Sequence, residues 1–178
     1  MKRAPIKLLP SAAHLRRWFS YDPLTGILRW NRVASNSQAN RRRNSLFAGQ
    51  PAGYVSGGYR SVMLNERTFL VHRVIWKMMT GRDPLTQIDH INGDPLDNRW
   101  ENLRAATQDQ NQANRKTSRN NTSGFKGVSF IQAHQKWRAA ISVNGKKRHI
   151  GYYSTPERAF DAYVETARSM KGAFARTA

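Results

Sequence analysis

The sequence predicts an α+β protein in two small units, the second a three-stranded antiparallel sheet carrying one helix. Three observations carry that expectation. The alternating segments Lys136 to Val143 and Lys147 to Tyr153 flank Asn144-Gly145, the strongest short hairpin signal. Val71, Val74, Ile75, Met78 and Met79 recur at helical spacing. Between these regions, residues 88 to 114 hold acids, a histidine and asparagines in a defined order. A chain of 178 residues with 39% hydrophobic content supports two modest cores.

Each element follows from local chemistry. Leu15, Trp18 and Phe19 are helically spaced in residues 11 to 20, and Ser11 can cap that helix. Tyr21-Asp22-Pro23-Leu24-Thr25-Gly26 is turn chemistry, and Ile27, Leu28 and Trp30 read as a strand. The stretch Asn31 to Asn44, with Arg41-Arg42-Arg43, lacks an apolar period and reads as a flexible basic loop. Tyr54 to Met63 and Arg67 to Val71 form a hairpin around Asn65-Glu66. A buried helix face over His72 to Met79 ends before Gly81 and Pro84, with His72 a core residue. Thr107 and Gln110 have capping-box spacing, and a helix from about Gln108 to Arg115 puts Asn111 and Asn114 on one face. Asn114 to Gly124 is polar, basic and breaker-rich, the composition of a linker. Phe125 to Phe130 is the first of the three C-terminal strands. Thr155-Pro156-Glu157 then opens a helix with Ala159, Phe160, Ala162, Tyr163 and Ala167 on its apolar side.

Lys+Arg 30 against Asp+Glu 11 gives a formal charge of +19, which points to a polyanionic partner. Through residue 115 there are 18 basic and 8 acidic residues, and after it 12 and 3, so the halves carry +10 and +9. Both can lie on phosphates. Cysteine is absent, which removes disulfides, thiolate zinc sites and cysteine nucleophiles. No apolar run reaches the roughly 20 residues of a membrane span, and Met1-Lys2-Arg3-Ala4-Pro5 leads into no secretory apolar core. The expectation is a soluble, cytoplasmic protein without a membrane partner.

The chemistry concentrates in Ile88-Asp89-His90-Ile91-Asn92-Gly93-Asp94, Asp97-Asn98-Arg99-Trp100-Glu101-Asn102-Leu103-Arg104 and Asn111. Phosphodiester hydrolysis needs a positioned water, a base and a cation. Asp89 offers a hard carboxylate oxygen and Asn111 a neutral one. His90, neutral near pH 7, suits a general base. Asn102 can hold either the imidazole or the intervening loop by hydrogen bonding. Asn98 and Asn114 are alternatives for the second and third asparagines, Asn98 reading more naturally as a turn residue. Arg99 and Arg104 either grip phosphate or form ion pairs.

These residues resemble the HNH nuclease family, whose ββα-metal core carries His, Asn and His or Asn in that order. The resemblance spans roughly residues 68 to 116, in a His-Asn-Asn variant with His90, Asn102 and Asn111, similar to phage and intron-encoded nicking enzymes. It implies that Asp89 and Asn111 bind metal, Mg²⁺ or Mn²⁺, and that His90 is the base. Many members hold a structural zinc on cysteine pairs; without cysteine, no structural zinc is expected, and Trp100, Leu103, Ile88, Ile91 and Val74 should hold the core. The stretch Tyr21 to Trp30 also resembles segments that precede such cores.

Gly124 to Ser129, Trp137 to Ile141, Lys147 to Tyr153 and Glu157 to Tyr163 resemble the plant ethylene-response-factor (Apetala-type) DNA-binding domain, over about residues 123 to 175. That resemblance implies a sheet laid in the major groove, a fit that groove dimensions permit. Lys126, Lys136, Trp137, Arg138, Lys146, Lys147 and Arg148 are the candidate contacts, Trp137 being equally suited to the core. The expected organisation is an N-terminal region 1–67, a nuclease core 68–116, a basic linker 117–124 and a DNA-binding domain 125–178. Together these imply a homing endonuclease of a phage or mobile element acting on double-stranded DNA. With one catalytic constellation and no evident dimerisation helix, a monomer that nicks is favoured over a homodimer. The competing expectations are a catalytically inactive DNA-binding regulator and a basic RNA-binding protein, although no dedicated RNA signature is present.

Overall fold

The computed structural model describes residues 8–34, 37–118 and 120–177, and the chain divides into two units, Met1–Ala105 and Ala106–Ala178. It has the mixed α+β character predicted, with small antiparallel sheets in both. None of the described helices is long and apolar enough to cross a membrane.

The first unit opens with helix α1, Ala12–Trp18, capped by the Ser11 hydroxyl, which accepts from the His14 amide. Strands β1, Phe19–Asp22, and β2, Ile27–Trp30, pair antiparallel around the Pro23-to-Gly26 turn. Helix α2, Gln38–Phe47, replaces the flexible loop expected at Asn31 to Asn44, of which Ser35 and Asn36 lie outside the described residues. This helix buries no residue, so it leaves no apolar period to read. It is held from outside instead. The Arg43 guanidinium lies 4.3 Å from the Trp18 ring centre and 4.5 Å from that of Trp30. The Asn44 side chain accepts from the Val33 amide and donates to the Val33 carbonyl.

A three-stranded meander follows: β3, Tyr54–Ser56, β4, Tyr59–Leu64, and β5, Arg67–Leu70. The expected Asn65-Glu66 turn is present, both residues at positive φ as a two-residue hairpin turn of this hand requires. Gly57-Gly58 makes the turn between β3 and β4, dividing what reads in sequence as one strand. Helix α3, Val71–Thr80, buries Val71, His72, Val74, Ile75 and Met78 and stops at Gly81 in the left-handed conformation. Strand β6, Gln87–His90, then forms a two-stranded sheet with β7, Leu103–Ala106. The core joins Leu15, Phe19, Leu28, Val62, Val74, Ile75, Ile88 and Leu103, with Trp30, Trp76 and Trp100 packed against it. Ile91, expected in this core, is 44% exposed. The chain leaves β6 at His90, and the Ile91 amide turns to donate to the Asn102 carbonyl.

The second unit begins with α4, Gln108–Asn114, on the Thr107–Gln110 capping box that the sequence predicts. Strands β8, Val128–Ile131, β9, Lys136–Val143, and β10, Lys146–Tyr153, form an antiparallel sheet in the order β10-β9-β8. The first strand starts later than Phe125 because Gly127 has φ +75°, and a Cβ there would lie 2.3 Å from the Tyr163 ring. Asn144 and Gly145, both at positive φ, close the predicted β9–β10 hairpin. Helix α5, Pro156–Lys171, lays Ala159, Tyr163 and Ala167 on Val128, Ala139 and Ile141. Upstream of β8, the Asn121 amide and the Ser123 hydroxyl donate to the Phe125 carbonyl. The Ser123 hydroxyl also stands 2.9 Å from the Val128 carbonyl.

Candidate active site

His90 ends β6 with its side chain buried, so its environment is set by what surrounds that strand end. Its Nε2 lies 3.3 Å from Oδ1 of Asn98, which is also buried. The Asn98 Nδ2 donates to the Leu96 carbonyl, which orients the amide with its oxygen toward the ring. Nε2 is therefore the protonated nitrogen, and the lone pair of the neutral imidazole sits on Nδ1. Burial lowers the His90 pKa, partly opposed by the Asn98 hydrogen bond and the nearby acids, so the ring stays neutral at physiological pH. His72 from α3 meets the His90 ring edge-on at 5.1 Å, with Tyr59 5.5 Å from His72. Burial drives the His72 pKa down to about 3.

Asn102 takes the second of the two roles its position allows, holding the loop. Its Oδ1 accepts from the Asn92 amide at 2.9 Å. Its Nδ2 donates to Asn92 Oδ1 and to the Asp97 carbonyl. Asn98, read in sequence as a turn residue, supplies the contact to the imidazole. Within the same loop, Asp97 accepts a two-pronged pair from Arg99, at 2.9 and 2.7 Å, and a bond from Asn92. The Arg99 hydrogen bond is the largest cause pulling the Asp97 carboxyl down to about 2. Arg99 also reaches Glu101 at 3.0 Å, so its guanidinium is engaged by two carboxylates.

Asp89 is buried; Arg104 Nε donates to its Oδ2 at 2.8 Å, and Nη2 lies 2.8 Å from the same oxygen as an ion pair. Asn111 stands on α4, half-buried, and Asn114 on the same helix is buried.

A brace for the His90 loop comes from a segment to which the sequence alone assigns no role. The Tyr21 hydroxyl donates to the Asn98 carbonyl at 2.8 Å, and the Trp100 amide donates to the Pro23 carbonyl. Gly26, at φ +72°, comes so near that a Cβ would lie 2.5 Å from the Arg99 amide nitrogen. The Tyr21-to-Gly26 turn is thus a template for Asn98–Trp100. The available signal was the turn glycine, but its partner lies more than 70 positions away.

In the second unit, residues directly opposite in the sheet project to the same side. Arg138 pairs with Tyr152 and Ser129, and Lys147 with Ser142, on the face away from α5; Lys136 pairs with Ile131 on that face too. Trp137 faces the other way, packing on the core and on Phe130. A bulge between His149 and Gly151 resets the alternation, so Lys146 and Arg148 register with Val143 and Ile141 on the α5 side, both exposed. Lys126 leaves the sheet altogether: its ammonium donates to the Ala113 and Arg115 carbonyls at the end of α4, and burial brings its pKa down to about 8. At the other end of α4, the Asp109 carboxylate pairs with Lys171 and accepts from the Asn144 amide.

The His90 imidazole is thus buried, neutral and oriented by Asn98 at the start of a tightly bonded loop. The family model described as HNH endonuclease matches residues 69–113. Among curated proteins, Protein 3.8 of Escherichia phage T7 is 36% identical over 106 residues, which cover 59% of this chain and 87% of that protein. An uncharacterized HNH endonuclease of Acanthamoeba polyphaga mimivirus is 35% identical over 107 residues, 59% of this chain; the alignment spans about half, 54%, of that protein. No solved structure matches. The chain belongs to the HNH endonuclease family and is a DNA endonuclease.

Proposed function

We propose that this protein is a magnesium-dependent endonuclease of a phage or other mobile element that nicks duplex DNA, with His90 as general base. The observation that carries the reading is the His90–Asn98 contact, which fixes the proton on Nε2 and the lone pair on Nδ1. In this mechanism Nδ1 takes the proton of the attacking water, and the hydroxide displaces one ester oxygen of the phosphate. Asn98 holds the imidazole, and Asn102 holds the loop that carries Asn98.

Among the described residues no three His, Asp or Glu side chains gather as a metal cage. One carboxylate and one neutral amide oxygen would suit a hard ion that keeps most of its shell as water and phosphate oxygen. Asp89 and Asn111 are the side chains assigned to it. Such an ion, when bound, supplies positive charge against the phosphate and leaving oxygen.

The α5-free face of the second unit, with Lys136, Arg138 and Lys147, is the surface assigned to selecting the duplex, as an ethylene-response-factor-type sheet would. Lys146 and Arg148 add charge at its edge. Tethering that surface to the nuclease raises the effective concentration of the cutting site on DNA.

Cleavage of supercoiled plasmid by wild type and His90→Ala, with magnesium and with chelator, tests the reading. Nicked circles that appear only with magnesium and vanish in His90→Ala are expected. Absence of product from the wild type with duplex binding intact would overturn it.

A further inference from the structure

The proposed cutting reaction leaves α2 without a task, although an unusual set of contacts holds it in place. Nothing in this helix enters the core. At 100° per residue, its docked side carries Arg43, Asn44 and Phe47. Arg43 sits between the Trp18 and Trp30 rings, Asn44 clamps the Val33 backbone, and Phe47 lies 6.4 Å from Trp30. A helix with no buried residue does not persist in water on its own propensity, so these contacts are what order it. The opposite side presents Gln38, Arg41, Arg42 and Ser45, all exposed or partly so. Neither Arg41 nor Arg42 makes a side-chain hydrogen bond or ion pair among the described residues.

The surroundings are one-signed. From Pro23 to Asn65 the sequence holds six arginines, Arg29, Arg32, Arg41, Arg42, Arg43 and Arg60, and no aspartate, glutamate or lysine. A solvated surface helix ordinarily mixes signs, because alternating charges stabilise it through pairs one turn apart. Here no acidic residue lies within a turn of Arg41 or Arg42, so their charge has no counter-charge along the helix, and an anion would supply it. Arginine, glutamine and serine together are also the residue types that meet phosphates and base edges, and an α-helix fits the major groove.

We infer that α2 is a second DNA-contacting element, built into the unit that carries His90, and that Arg41 and Arg42 neutralise backbone phosphates of the duplex. The inference rests on the reading of the protein as a DNA endonuclease. It adds a contact within the cutting unit itself, independent of the C-terminal sheet.

The test uses the full chain and a fluorescein-labelled random duplex of about three helical turns, with affinity measured by anisotropy across a salt series. Each phosphate contact contributes about 0.9 to the slope of log affinity against log salt. Arg41→Gln/Arg42→Gln should therefore lower the slope by about 1.8. Arg158→Gln/Arg168→Gln, which removes the same charge from the exposed side of α5, should leave it near the wild-type value. An unchanged slope in the α2 variant overturns the inference. An equal drop in both variants overturns it as well, since the effect would then be one of net charge. Wild type that neither binds duplex nor nicks plasmid overturns the endonuclease reading and this inference with it, whereas nicking by a wild type whose binding is insensitive to Arg41 and Arg42 overturns this inference alone.

Discussion

Nε2 of His90 faces Oδ1 of Asn98 across 3.3 Å, both side chains buried, so an asparagine eight positions downstream sets the tautomer of the imidazole proposed as the base. Partners of this kind commonly tune activity by about 10–100-fold when removed. Asn98→Ala is expected to lower kcat by about 100-fold, the upper end of that range, with KM for plasmid little changed. Asn98→Asp, which keeps an acceptor in place, should recover part of the loss and shift the pH–rate profile, because a carboxylate favours the imidazolium. Equal kcat losses in the two variants, with identical pH profiles, would show that Asn98 acts only through packing.

Asn102 should fail differently. Its amide makes three hydrogen bonds to the loop at Asn92 and Asp97. At about 1 kcal/mol each, Asn102→Ala costs about 3 kcal/mol of stability. Urea unfolding followed by tryptophan fluorescence reads that loss, and a midpoint matching wild type would contradict it.

Gly26 braces the same loop from outside. At φ +72°, a side chain here would place its Cβ 2.5 Å from the Arg99 amide nitrogen, so Gly26→Ala must displace Asn98 and Arg99. Strain of this type costs on the order of 1–3 kcal/mol. Nicking should drop at least as steeply as for Asn98→Ala, while duplex binding by the second unit persists. Tyr21→Phe, losing one hydrogen bond to the Asn98 carbonyl, should give a milder loss of the same kind. Full nicking activity in Gly26→Ala would remove the template role.

Stability should fall in acid on account of His72. Burial, with smaller contributions from His90 and Arg73, holds its pKa at about 3 against 6.5 in the unfolded chain. Between those values the unfolded state binds the extra proton, so stability decreases as pH falls, by up to about 1.4 kcal/mol per unit. His72→Phe keeps an aromatic ring without the titration. Its melting temperature, measured with chelator, should fall less steeply than that of wild type as pH drops from about 6 to about 4, the window between the two pKa values. Parallel curves would refute the assignment.

Arg104 and Asp89 form a buried pair, with side chains 16% and 5% exposed. Arg104→Met removes this cation from the buried carboxylate, and breaking such pairs costs about 3–5 kcal/mol. The denaturation midpoint should drop accordingly. A neutral result would mean that Asp89 draws little from the guanidinium.

Signals carried between near neighbours were legible in the sequence. The Thr107 capping box, the Asn65-Glu66 and Asn144-Gly145 turns and the Gly81 stop each depend on conformations that a few adjacent residues impose. The order Asp89, His90, Asn102, Asn111 was legible for a related reason: its spacing is itself the pattern. Tertiary structure decided what lies opposite what. Helix α2 forms because Arg43 finds Trp18 and Trp30, contacts that no local period encodes. Asn98 rather than Asn102 meets His90 because the Tyr21-to-Gly26 turn fixes the path of the loop from a distance. One bulged residue in β10 chooses which basic side chains share the face of Arg138, since strand alternation reverses at every inserted residue. Backbone preference is set within a turn of chain, whereas the partner of a side chain is set by where remote segments cross, and only the folded chain brings those crossings into being.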